Sequence, residues 1–544
     1  MPIVPGSLRL LCLLLPVPAL PATGQDPDSV AMRRVAEQAQ ADFERTRRRL
    51  LPPFTGGRPS PCEARIGRYC YWYDGSAQPP PEAPAAAPAR QHLLLALARA
   101  QEALPGDRWI AGQQIRYLVE HGETDAAVAA SRMCGADLAW CAALLGYALH
   151  SAGRFEEAER AFAVALREMP AADAARWRDI TVALEDARDA AAADTLLWLG
   201  DPLLSRPGND LRTELFARRV MAEVLAHSLR PERTSWGPDA EELLFRYGWP
   251  IRWSVDAPRL AGPESESVVG HERQPAYAFL PLRGATWRWD LRRPRPRSRY
   301  APAYARAFTS IPAHQIAAFR RGDSSLVVAS FDLRRDTLFG NAPVRVALAL
   351  ARDPSSAPVV VTTDRPFPTG VAVAVAPWPA RLASLEVERL DSARFAVTRS
   401  VLSPVPPALL ALSDLLLFEP GESLPSTVWE AADRALGEPR VSRRRAVGVY
   451  WELYGGAGDS LDVSIAVVPE RRGLLGRFGQ SLGLVGRRPP VTLQWTGSRE
   501  GEFTGRAIEL DLSRLGNGRY VVEVEARDRS GRRATTRRPV VVVP

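Results

Sequence analysis

"AALLGYALHSAGRFEEAERAFAVALREMP", residues 142–170, decides how the first half of the chain folds. It is rich in Ala and Leu at helical spacing, Gly153 interrupts it, and Pro170 stops it. Gly146 and Ala158 are small where two antiparallel helices would have to approach closely, and Gly153 suits the turn between them. The stretch therefore predicts a helix–turn–helix hairpin. A lone hairpin leaves an apolar face in water, so the flanking text must supply further helical layers.

Leu145, Gly146, Gly153, Phe155, Ala158, Phe162, Ala165 and Pro170 keep the spacing of a tetratricopeptide repeat, which this unit resembles. The preceding "WIAGQQIRYLVEHGETDAAVAASRM" looks like a degenerate copy, with Gly122 and Ala127 at its turn and contact positions. "ARWRDITVALEDARDAAAADTLLWL" is expected to stack behind as more helix. Residues 91–195 are read as tetratricopeptide-like repeats, serving either as a packing scaffold or as a peptide-binding groove.

The chain of 544 residues is long enough for roughly three or four domains. Its net charge is +8, and all 70 basic residues are arginine. Without lysine there is no Walker-A lysine, no kinase lysine and no Schiff base. Residues 1–24 read as an export signal, with Arg9, the short apolar core "LLCLLLPVPAL", and small Ala22 and Gly24 before the cut. No later stretch reaches the roughly 20 apolar residues of a spanning helix. The expectation is an exported protein, periplasmic or extracellular, with the signal removed.

Cys62, Cys70, Cys134 and Cys141 remain, an even number in an exported chain, which favours disulfides. Proximity suggests 62 with 70 and 134 with 141, with two unpaired buried thiols as the rival reading. On one continuous helix Cys134 and Cys141 would stand about 10 Å apart, too far to bridge. A bond there requires a turn, for which Gly135 and an Asp137 N-cap are available. Residues 25–77 hold a helix near 28–50, with Ser29 as a cap and Met32, Val35 and Phe43 on one stripe, and then the Cys-bracketed loop. "QPPPEAPAAAPAR", 78–90, reads as an extended linker.

After the repeats, Trp198, Asp201, Pro202, Asn209, Thr213, Glu214, Arg218, Trp236, Asp239, Tyr247, Gly248 and Pro250 follow the pattern of the GWxTD domain family, which residues 196–282 resemble. The match departs at its namesake, where Ser235 replaces Gly and Gly237-Pro238 precedes Asp239. The family has no established activity, so the resemblance implies architecture and export. Trp236, Asp239, Tyr247, Gly248, Glu214 and Arg218 are the candidate binding residues. On local grounds Asn209 caps a helix whose Leu211, Leu215 and Ala222 face inward. Glu214 and Arg218 pair on that helix, worth a few tenths of a kcal/mol, and "FRYGWP" ends a strand.

Residues 283–321 hold ten arginines against Asp290 and read as an Arg-rich connector. Contact with an anionic surface is the second reading there, and export argues against nucleic acid. From 322 the period becomes two, predicting β-sandwiches over 322–410 and 411–544, with "DRSG" as a hairpin turn. "GQSLG", Gly479–Gly483, matches a nucleophile elbow by letters, but no His follows His314, so no base is available. The six histidines are scattered, so no metal site is expected.

The fold class expected is a multidomain α + β chain: N-terminal α-helical, tetratricopeptide-like repeats, then two all-β immunoglobulin-like sandwiches. The function expected is a non-catalytic binding or scaffolding protein of the cell envelope, with no cofactor, no catalytic residue, and other envelope or secreted proteins as partners. The alternative is an envelope hydrolase with its site between the helical and β parts, or a binder of anionic surfaces through 283–321.

Overall fold

The computed structural model describes residues 27–53, 64–71, 82–181, 193–232, 234–256, 267–272, 302, 304–354, 356–403, 410–455, 460–470, 491–498 and 503–544. Residues 1–24, read as an export signal, Cys62, residues 283–301 and the "GQSLG" motif lie outside them.

The helical block comprises α1 (Pro27–Arg49), the hairpin β1 (Ala64–Ile66) and β2 (Tyr69–Tyr71), α2 (Ala87–Ala103), α3 (Arg108–His121), α4 (Thr124–Arg132), α5 (Leu138–Ser151), α6 (Phe155–Glu168), α7 (Ala171–Arg178), α8 (Ala193–Gly200), α9 (Asp210–Ala226) and α10 (Pro238–Tyr247). The hairpin β3 (Pro250–Asp256) and β4 (Ser267–Glu272) follows. The predicted α5–α6 hairpin forms. Gly153 takes φ +74° in the turn. A Cβ on Gly146 would stand 2.7 Å from the Phe162 ring, so only glycine lets the two helices approach this closely. Ala127, Ala158 and Ala165 are fully buried. Helix α9 is buried along nearly its whole length because α3, α5 and α6 pack around it. Between α1 and α3, Arg47, Arg116, Glu44 and Glu120 form a buried cluster of balanced charge. Such a cluster is tolerated only because each charge meets its opposite.

Several local readings are corrected. Helix α1 already runs at Pro27, so Ser29 lies inside it, and Val35 is exposed while Phe43 is buried. The linker read over 78–90 is helical from Pro84 onward, since proline costs little in a first turn, where the missing N–H has no partner. "FRYGWP" ends helix α10 instead of a strand. Pro238 starts that helix, Gly248 closes it at φ +91°, and β3 begins only at Pro250.

The first β block contains β5 (Ala307–Ser310), β6 (His314–Arg321), β7 (Ser324–Asp332), β8 (Val344–Ala351), β9 (Val359–Arg365), β10 (Thr369–Ala376), β11 (Leu382–Arg389) and β12 (Arg394–Val401). A three-stranded sheet, β10-β7-β6, faces a five-stranded one, β5-β12-β11-β8-β9, across a shared core that includes Val327, Phe331, Leu348 and Leu385. Strands β5 and β6 fall within the range read as an Arg-rich connector, so the block begins before 322. Strand β6 escaped notice because neighbours cover both its faces and its alternation is broken. Arg321 forms a two-point pair with Glu452, at 2.5 and 2.7 Å, and Arg320 lies over the Tyr454 ring. Both side chains are engaged within the fold.

The second block holds β13 (Ala411–Leu412), β14 (Leu416–Phe418), α11 (Val428–Asp433), β15 (Arg440–Ser442), β16 (Val447–Tyr454), β17 (Ser460–Pro469), β18 (Val491–Ser498), β19 (Phe503–Leu510), β20 (Gly518–Asp528) and β21 (Arg533–Val543). Strand β16 pairs with β13, β14 and β19, and the sheet β15-β21-β20-β17-β18 packs against it. The block is not all-β. Thr427 caps α11, whose Val428, Ala431 and Ala432 fill the seam against Phe319 and Val328 of the first block.

The first block is thus covered on both sides. Its three-stranded sheet meets the second block, and Phe308, Phe395 and Val397 on the outer face of the five-stranded sheet join the helical core. Each such side chain contributes roughly 1.5–3 kcal/mol on burial.

Candidate functional site

The six candidate residues do not converge on one cleft. They divide among a buried network, a surface lock and a groove.

The network sits between α5 and α9. The Asn209 side chain accepts the Arg212 amide at 2.8 Å and starts α9, placing Thr213, Glu214 and Arg218 on its inner faces. Arg218 Nε donates to Glu214 Oε1 at 2.8 Å, and its Nη1 donates to the Phe245 carbonyl at 2.9 Å near the end of α10. Gly248 lies beside it, with the position of an added Cβ 3.5 Å from Arg218 Nη2. The other Glu214 oxygen faces His150 Nε2 at 2.6 Å, and His150 Nδ1 faces the Thr213 hydroxyl at 2.9 Å. That hydroxyl also donates to the Asp210 carbonyl at 3.1 Å. Burial pushes the Glu214 carboxyl up, but Arg218 and His150 overcome it and hold the group well below the usual range. The pair is therefore no surface ornament worth a few tenths of a kcal/mol. It is a buried three-helix tie that fails badly if broken. Thr213 is fully buried, so its hydroxyl beside an imidazole and a carboxylate is out of reach of any substrate.

The lock involves Asp239. The tip of the β1–β2 hairpin carries Arg68, whose Nε and Nη2 each donate to the Asp239 carboxylate at 2.7 Å. The Arg68 backbone amide adds a third bond at 3.1 Å, and Ser235 accepts Arg68 Nη1 at 2.9 Å. These bonds, the side-chain ones foremost, hold the Asp239 carboxyl below its ordinary range. Tyr247 packs on Ile66 of the same hairpin. The turn that opens α10 thus grips a distant hairpin, and Ser235 takes part in the grip. Nothing in the text "PCEARIGRYCYWYDG" marked Arg68 for this role.

Trp236 lies on the other side, at a groove of about 800 Å³ in the helical block. Trp109, Trp140, Trp177 and Trp236 line it. Three of the indole N–H groups are spent: Trp109 on the His227 carbonyl, Trp140 on the Arg108 carbonyl and Trp177 on Glu223. The Trp236 N–H has no acceptor among the described residues, and Arg230 lies over its ring at 4.9 Å. Charged side chains on the walls are paired within them, Arg108 with Asp137 at 2.5 Å and Arg176 with Glu223 at 3.4 Å. The Cys134–Cys141 disulfide, with Cα atoms 5.5 Å apart, spans the turn that leads into α5. The expected turn makes it possible. Gly135 presses against Pro105, and the Asp137 side chain accepts the Trp140 amide at 2.9 Å to start α5. The pairing expected for Cys62 with Cys70 lies outside the described residues.

Among the described residues no group of three His, Cys, Asp or Glu is placed to hold a metal ion, and no helix is long and apolar enough to cross a membrane.

The chain matches no known protein family, and no curated protein matches it. Among solved structures it is similar to a tetra-tandem repeat from the extending region of a large adhesion protein, at 11% identity over 42% of this chain and 48% of that one, with a TM-score of 0.14. It is similar also to the FN1-FN3 domains of chicken CNTN1, at 11% identity over 42% of this chain and 65% of that one, with a TM-score of 0.15. A third is an Escherichia coli alpha-2-macroglobulin activated by porcine elastase, at 14% identity over 42% of this chain and 23% of that one, with a TM-score of 0.14. This chain spans about half the length of the adhesion-protein structure. At such TM-scores the likeness carries no functional argument, and the sheets described above stand on their own pairing.

Proposed function

We propose that this is an exported, non-catalytic binding protein of the cell envelope, whose helical part receives a segment of a partner polypeptide. The observation that carries the reading is the groove of about 800 Å³ with four tryptophans on its walls. Indole faces supply large contact area at little cost in side-chain entropy, and they are enriched where proteins bind one another. Wall charges paired with each other leave a surface of low net charge, suited to a polypeptide more than to a polyanion. On this reading the helices are tetratricopeptide-like, the turn at Trp236 belongs to a GWxTD-like segment, and the two β blocks are immunoglobulin-like modules. The Cys134–Cys141 disulfide suits an oxidising compartment.

A photo-crosslinking amino acid at Ala139 or Met169, both on the groove wall, tests this in cells. The expected result is one dominant crosslinked partner, lost when Trp236→Ala is added. Equal capture from a probe on the opposite side of the helical block, or capture indifferent to Trp236→Ala, would refute the groove as the binding site.

A further inference from the structure

The loop joining α8 to α9 is held from the β side by two buried residues. Arg399 on β12 donates Nη1 to the Leu199 carbonyl at 2.6 Å and Nη2 to the carbonyls of Asp201 and Pro202. Glu386 on β11 accepts the amides of Leu204 at 2.8 Å and Ser205 at 3.1 Å. Ser384 bridges the two, donating to Glu386 and accepting from Arg399 Nε. Leu204 seats against Ala349, Ala351 and Leu382. Gly208, at φ +83°, lies so close to the start of α6 that a Cβ would stand 2.3 Å from the Glu156 nitrogen. The loop is therefore clasped between sheet and helix.

Its charges do not balance. Asp201, Asp210 and Glu386 are each at most 6% exposed, and among the described residues Arg399 is the one guanidinium buried with them. Arg206 sits at the rim over the Tyr304 ring, 3.6 Å from Glu388, and Tyr304 lies near Asp210. Glu214, one turn along α9, is already answered by Arg218 and His150. Three buried carboxylates facing one buried cation leave excess negative charge where the medium tolerates little, and a proton is the smallest remedy.

We propose that this joint is a pH-responsive clasp, which takes up a proton as the helical block closes on the sheet and loosens when the proton leaves. Burial, opposed only in part by Tyr304, the Leu211 amide and Arg206, lifts the Asp210 carboxyl to about 7. Burial and then the charge of Asp210 lift Asp201 well above its ordinary range. In a released loop such a carboxyl titrates near 3.8. Between these values only the closed form holds the proton, so closure is favoured below neutrality and weakened as pH rises through 7.

Hydrogen exchange at the Leu204 and Ser205 amides, which Glu386 holds, reads the clasp in the full chain. After correction for the intrinsic pH dependence of exchange, one proton with a midpoint near 7 predicts about tenfold less protection at pH 8 than at pH 6. The Tyr147 amide, in the helical core, should stay constant over that range. Asp210→Asn, neutral and nearly isosteric, should flatten the profile of the two loop amides. Should it fail to fold, Asp201→Asn gives the same comparison. Constant protection from pH 6 to pH 8 in the natural chain, or a variant profile as steep as the natural one, overturns the proposal.

Discussion

Truncating Arg218 to alanine is the sharpest probe of the helical block. The guanidinium is 4% exposed and its partner Glu214 is 9% exposed. Losing it leaves a buried carboxylate answered by His150 alone and takes a donor from the Phe245 carbonyl. Breaking a buried ion pair from one side costs roughly 3–5 kcal/mol, the lost donor to the carbonyl included. For a unit of this size each kcal/mol lowers Tm by about 2–4 °C, so the melt followed at 222 nm should fall by roughly 10 °C. Exchange should quicken in α5, α9 and the end of α10 together, because the network spans all three. Arg68→Ala supplies the contrast, since it removes more side-chain hydrogen bonds but from a solvent-exposed pair. It should release the β1–β2 hairpin to proteolysis and hardly move the main transition. A Tm for Arg218→Ala within about 2 °C of the natural chain, or an equal loss for Arg68→Ala, would refute the claim that burial makes one pair matter and the other not.

Acid should act through the same network. The folded Glu214 carboxyl titrates below its unfolded value near 4.5, so its stabilisation is complete above that pH and is lost as pH falls beneath it. Glu214→Gln should be less stable at neutral pH and show a shallower loss of ellipticity from about pH 5 to pH 3. Gly146→Ala places a methyl 2.7 Å from Phe162 and should cost about 1–3 kcal/mol in urea unfolding. Replacing Cys134 and Cys141 together by serine opens a short loop and should cost about 2–3 kcal/mol. Peptide mapping of the natural chain without reductant should recover the two cysteines linked, and finding both as free thiols would contradict the structure.

What was legible in the text was local. The 134–141 bond could be reasoned out because a helix cannot bring residues seven apart together, while Gly135 and Asp137 advertise a turn. The Asn209 cap, the Glu214–Arg218 spacing and the closeness demanded at Gly146 are likewise short-range consequences of backbone geometry. Misreadings came where two local rules compete. Prolines at 84 and 88 suit a linker and a helix start equally well, and an apolar run before Tyr-Gly suits either a strand or a helix end. His150, Arg68, Glu386 and Arg399 gave no signal, because their roles depend on partners 64 to 200 positions away.

The chain's text alone determined that helices precede strands and marked the turn that a 134–141 bond requires, since spacing, capping and turn chemistry act over a handful of residues. Only the tertiary structure decided that β6, β7 and β8 are covered on both faces, that Glu214 is a buried tie, and that the clasp loop gathers an excess of carboxylates. Alternation along a strand records that a face is apolar but not what lies against it. A charge, likewise, takes its energy from how far it stands from water and from its opposite, and folding alone sets those distances.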